Sequence, residues 1–310
     1  MRNPSIAPTR AALLVLLLAL VWGCNWPVLK MGVDELAPLT FRCITLPLAA
    51  LGMLAFAHAH GESIRIPPAC FAKVCGLSFF NVTGWNGFLL FGVQQLPAGR
   101  SAILAYTMPI WATAIATFVL HEPISRRKLA GLALGALGMA ILLGDQVVVV
   151  RKAPSGALLI LIAAVSWACG TVLLRKWRPP LPQNALSGWM LLLGTVPLAL
   201  AAPFLDPQAF ATELANLSVR GWFAIGYNVF LAGTLANLAW FMLARTLPVA
   251  VSSLSSLPIP VVGVISGMIV LGERPGMQEW IALALVVTAL AIVMLAPRKT
   301  ATEVGTPHDA

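Results

Sequence analysis

Leu96-Pro97-Ala98-Gly99-Arg100-Ser101, continuing through Met108-Pro109 to Val119-Leu120-His121-Glu122, is written twice in this chain. The second copy runs Leu247-Pro248-Val249-Ala250-Val251-Ser252, through Ile259-Pro260 to Val270-Leu271-Gly272-Glu273. At a constant offset of 151, seven of 27 positions are identical: Leu96/Leu247, Pro97/Pro248, Ser101/Ser252, Pro109/Pro260, Val119/Val270, Leu120/Leu271 and Glu122/Glu273. Apolar composition alone gives chance matches. It does not align two prolines, a serine and a glutamate in one ungapped register. Phe79, Thr83 and Asn86 match Phe230, Thr234 and Asn237 at the same offset, and Trp22 and Cys24 match Trp167 and Cys169 at 145. An internal repeat decides the architecture, and this one makes the chain two similar halves.

Of the 310 residues, 59% are hydrophobic and only 10% charged, with a mean hydropathy of +0.88. Soluble domains carry about 25% charged residues, so too little polar surface is present to cover a soluble core. The apolar residues come in blocks, and about 20 of them cross the hydrocarbon layer as a helix. Ten spans follow, at 11–31, 37–57, 70–93, 99–120, 128–146, 155–174, 184–204, 221–243, 249–271 and 278–296. The expected class is an all-α membrane protein whose partners include the lipid bilayer. Arg10 followed by Ala11 to Leu20 is read as a retained first span rather than a cleaved leader, because the repeat gives it a counterpart. The polar tail at 298–310 is expected to be disordered and cytoplasmic.

The net charge of +9 would suggest nucleic acid in a soluble chain. Here the basic residues lie between apolar blocks and set orientation, so no nucleic-acid partner is expected. The N-terminus, the even-numbered loops and the tail hold 13 Lys and Arg, the odd-numbered loops 6, and Arg42 lies within the second span. The positive-inside rule therefore puts both termini in the cytoplasm, in agreement with an even number of spans. Five spans per half is odd, so the halves are inverted relative to each other. Inverted repeats are the build of secondary transporters, with the substrate near midplane where the halves meet. The five cysteines show no metal spacing and read as packing residues. No P-loop, zinc motif or nucleophile elbow is visible, so neither an enzyme nor a cofactor or metal is expected.

Five-helix halves that both carry a Leu-Pro…Ser…Pro…Leu-x-Glu signature resemble the drug/metabolite transporter superfamily, specifically proteins with paired EamA domains. Phe41-Arg42 entering the second span, Trp22 in the first, and the Glu273-Arg274-Pro275 turn before Trp280 add to the likeness. It covers about residues 10–297 and implies repeats at 10–147 and 153–297. A narrower similarity is to bacterial amino-acid exporters, among them exporters of aromatic amino acids. The resemblance implies an inner-membrane protein with a cavity lined by spans one, three and four together with six, eight and nine. Export rather than uptake comes from the resemblance alone.

Within those spans, Trp85, Tyr106, Trp167 and Trp240 are candidates to line a pocket; the alternative is lipid-facing or packing aromatics. Asn86 and Asn237, related by the repeat, are either helix glue or hydrogen-bonding groups for substrate. Pro109, Pro258 and Pro260 are candidate hinges, or else static kinks. Arg42 lies about six residues inside its span, roughly 9 Å at 1.5 Å per residue, and is expected to snorkel to the outer interface. Gly131, Gly135 and Gly138 form a small-residue face, expected to pack within a monomer rather than to seam a dimer. No Asp or Glu lies mid-span, so coupling uses span-end groups such as Glu122 and Glu273, or the protein is a facilitator or exchanger; structural capping is the stronger expectation for these glutamates.

The sequence reading is thus a ten-helix transporter exporting a small neutral or zwitterionic metabolite, an amino acid above all, by alternating access. A carrier of sugar phosphates or nucleotide sugars would need convergent basic groups at midplane, where only Arg42 is offered. A multidrug exporter and, from another class, a membrane-embedded enzyme or scaffold are the other readings.

Overall fold

The computed structural model describes residues 8–121, 124–148, 155–206, 214–246 and 257–294. Glu122, Pro248, Ser252, the start of the ninth span at 249 and the tail at 298–310 lie outside the described residues. Among the described residues the chain is helical: α1 (Pro8–Glu35), α2 (Pro38–Ala59), α3 (Pro68–Gln95), α4 (Ala98–Val119), α5 (Arg126–Val148), α6 (Ser155–Trp177), α7 (Gln183–Leu205), α8 (219–246), α9 (Pro258–Leu271) and α10 (Met277–Met294). All but α9 are long and apolar enough to cross a bilayer, and α9 is the described part of the ninth expected span. Helices are what lipid demands, since every backbone polar group must be satisfied within its own segment. The polar side chains obey the same constraint: Thr45 bonds to the Phe41 carbonyl, Ser78 to Val74, Ser101 to Pro97 and Thr195 to Leu191, each four residues back.

Three spans depart from simple helices. α3 passes through a π-helical stretch at Phe79–Gly84 and α8 through one at Tyr227–Leu235. Shifted by 151, the first becomes 230–235 and falls inside the second, so the repeat extends to an irregularity of the backbone. α4 breaks between Ala98–Ala105 and Met108–Val119, with Pro109 in the first turn of the second piece. A missing backbone donor costs nothing there. α9 ends at Gly272, whose φ of +68° lies in the left-handed region that glycine adopts without strain. α1 runs to Glu35, four residues beyond its expected end at 31.

The packing repeats as well. α1 lies against α8 and α9, and α6 against α3 and α4; α2 lies against α7 and α8, and α7 against α2 and α3; α5 pairs with α10. Exchanging α1 with α6, α2 with α7, α3 with α8, α4 with α9 and α5 with α10 maps these neighbours onto one another. Bare backbone allows the close approaches: a methyl group on Gly23 of α1 would stand 2.4 Å from Val262 of α9. The expected small-residue face of α5 is filled within the chain, Gly131 and Gly138 by α10 and Gly135 by Ile110 of α4.

Candidate functional site

The carboxyl ends of α1, α3, α7 and α9 lie at one end of the bundle, here called the upper end. There, acidic side chains of one repeat reach helix amino termini of the other. Asp206, just past α7, accepts from the Leu39 and Thr40 amides of α2 at 2.8 and 3.1 Å. Glu273, after α9, accepts from the Ala98 and Gly99 amides of α4 at 2.5 and 3.0 Å. Glu35 of α1 takes both the amide and the hydroxyl of Ser218, the cap of α8. A carboxylate on free helix amides is both a cap and a countercharge to the helix dipole. Arg100 of α4 pairs with Glu279 of α10, and Lys30 of α1 donates to the Val93 and Gln94 carbonyls at the end of α3. The carboxylates and Arg100 tie the upper end across the repeats, and Glu273 is a structural cap.

Below it, aromatic residues meet in three pairs, two of which cross between repeats. Trp85 of α3 and Trp167 of α6 have ring centroids 6.3 Å apart, tilted by 55°. Trp22 of α1 and Trp240 of α8 are 6.0 Å apart at 48°. Tyr106, at the break in α4, meets Trp26 of α1 edge-on at 6.3 Å. These separations are those preferred by ring quadrupoles. The structure thus joins Trp85 with Trp167, but gives Tyr106 and Trp240 partners, Trp26 and Trp22, that the sequence reading left out of the site. Trp22 had a visible signal, its match to Trp167. Trp26 had none beyond being a tryptophan in a span.

The π-helical turns leave carbonyls that α1 and α6 help to satisfy. The Trp22 indole donates to the Ala232 carbonyl at 3.2 Å, and the Ser166 hydroxyl to that of Phe80 at 2.8 Å. Asn86 donates its amide to Val82, and Asn237 donates to Ala232 and Gly233. The expectation that these asparagines hold substrate is narrowed: their donors serve their own helices, and no described donor reaches either side-chain oxygen. What they can offer a ligand is an acceptor. Asn25 of α1, absent from the sequence reading, has a buried side-chain oxygen with no partner. Its signal was its place three residues after Trp22.

Pro109 sits beside the break in α4, and its counterpart Pro260, with Pro258, opens the described part of α9. Arg42 is a correction. It does not snorkel: it is 6% exposed and donates to the Asn228 side-chain oxygen of α8 at 3.1 Å. Burial within protein replaces the expected reach to the lipid headgroups.

A family model, the EamA-like transporter family, matches residues 9–144 and again 154–295. A Salmonella typhimurium protein named "Probable amino-acid metabolite efflux pump" is 29% identical over 86% of this chain and 88% of its own length. The Escherichia coli inner membrane transporter YedA is 29% identical over 95% of this chain and 93% of its own. A Bacillus subtilis transporter, YoaV, is 24% identical over 84% of this chain and 88% of its own. One solved crystal structure superposes with a TM-score of 0.65, covering 95% of this chain and all of that one at 21% identity.

Proposed function

The chain belongs to the EamA-like transporter family, and on that premise we propose that it exports small neutral or zwitterionic metabolites, amino acids first among them, by alternating access. A multi-pass membrane transporter needs a small-molecule substrate; what supports this substrate class is the pairing of Trp85 with Trp167 and Trp22 with Trp240 across the repeat boundary. Such walls suit an apolar or aromatic side chain, and the oxygens of Asn25, Asn86 and Asn237 suit an ammonium group. The name of the Salmonella relative points the same way. YedA's name supports an inner-membrane location, and the basic-residue count supports cytoplasmic termini, which makes the upper end periplasmic. In this account the protein works as a monomer. The two repeats rock about Pro109, Pro258 and Pro260, and the carboxylate caps release when the periplasmic side opens.

Reconstitution in liposomes tests the proposal by efflux of labelled phenylalanine, threonine and a hexose phosphate, with and without a pH gradient. Selective loss of an amino acid is the expected result, and loss without a gradient identifies a facilitator. Movement of the hexose phosphate alone would overturn it in favour of an anion carrier.

A further inference from the structure

Arg42 is the only Lys or Arg buried among the described residues. One Nη1 donates to the Asn228 oxygen at 3.1 Å, the guanidinium carbon lies 5.5 Å from the Phe41 ring centre, and the buried Nε has no acceptor. None of the carboxylates among the described residues lies within ion-pair distance. Guanidinium carries five donors in a fixed fork, and a buried cation held by one neutral amide oxygen is incompletely compensated. The group that matches such a fork is a carboxylate, whose two oxygens take parallel, charge-assisted bonds roughly twice as strong as neutral ones.

The surroundings suit an exchange of partners. Asn228 lies in the π-helical part of α8, its amide donating to Ala224 and its oxygen aimed at Arg42. Further along the same stripe of α2, Ala49 abuts Gly233 and Gly52 abuts Thr234. These are small residues against a helix of irregular pitch, a contact that can separate without tearing an interlocked core. Arg42 and Asn228 are thus a polar tie between repeats on a face otherwise built for sliding.

We propose that Arg42 recognises the carboxylate of the transported zwitterion, and that Asn228 holds its place until the carboxylate displaces it and frees α2 from α8. The inference rests on the amino-acid reading above for its ligand. The test uses purified full-length protein and three probes read by tryptophan fluorescence: phenylalanine, 3-phenylpropionate (carboxylate, no amine) and 2-phenylethylamine (amine, no carboxylate). Arg42→Gln is expected to weaken the first two about tenfold or more, the scale of lost hydrogen bonds to a charged group, and to spare the amine. Asn228→Ala, which removes the competitor, is expected to tighten both carboxylates and keeps the test alive if Arg42→Gln does not fold. Equal weakening of all three probes, unchanged carboxylate binding, or no carboxylate binding by the wild type would overturn the proposal. Arg42-dependent binding of 3-phenylpropionate without phenylalanine flux in liposomes would sink the amino-acid reading and leave the carboxylate site standing. Phenylalanine flux unaltered in Arg42→Gln would do the reverse.

Discussion

In the proposed reading Trp167 serves fold and ligand at once. It packs on Trp85 across the repeat boundary while staying half-buried, so part of its ring is available to something else. An aromatic pair contributes about 0.5–1.5 kcal/mol beyond its buried area. If a substrate ring takes up that contact, Trp167→Ala should weaken phenylalanine binding about three- to tenfold and threonine binding little, with Trp167→Phe restoring it. Titration of each ligand against each variant decides the matter; an equal loss for both ligands would make the pair packing alone. The asparagines belong at this scale too. Symmetry singled out Asn86 and Asn237, yet their donors are committed to their own helices, which symmetry could not reveal.

Among the elements, α4 is both interrupted along its length, between Ala105 and Met108, and tied at its amino terminus to the other repeat by Glu273. Glu273→Gln keeps the side chain's shape but loses its charge and one of its two acceptors for the Ala98 and Gly99 amides, at a cost of about 1 kcal/mol or more to the tie at the upper end. A cysteine placed at Ala102, which is fully buried in this structure, should then react with a membrane-impermeant maleimide about fivefold faster in the Glu273→Gln background. An unchanged labelling rate would mean that the cap does not hold this end closed. The matched π-helical turns of α3 and α8 lie on the faces that α1 and α6 press against, where regular hydrogen bonding has given way to bonds from Trp22 and Ser166. π-helical turns are frequent at functional sites.

The whole molecule is two inverted halves whose neighbours exchange under the repeat. The proposed orientation in the bilayer rests on charge: 13 Lys and Arg on one side against 6 on the other. A fluorescent protein fused after Ala310 should therefore fold in the cytoplasm and fluoresce, whereas alkaline phosphatase at the same point should be inactive. An active phosphatase would reverse the topology and make the capped upper end cytoplasmic.

The chain's own residues were enough to establish ten helices, two repeats and a transporter's build, because lipid forces hydrophobic length and regular helices onto the sequence, and an ungapped repeat survives as matched prolines and glutamates. Even the capping role of Glu273 followed from its position at a span end. Three features were decided only in the folded molecule. The partners of Trp22 and Trp26 depend on helices some 200 and 80 positions away. The π-helical turns, whose carbonyls Trp22 and Ser166 help to satisfy from other spans, are not recorded by any periodicity of apolar residues. Arg42 looked able to reach water by its distance along α2, but what surrounds a side chain is set by the neighbouring helices, and α8 had placed Asn228 in its path.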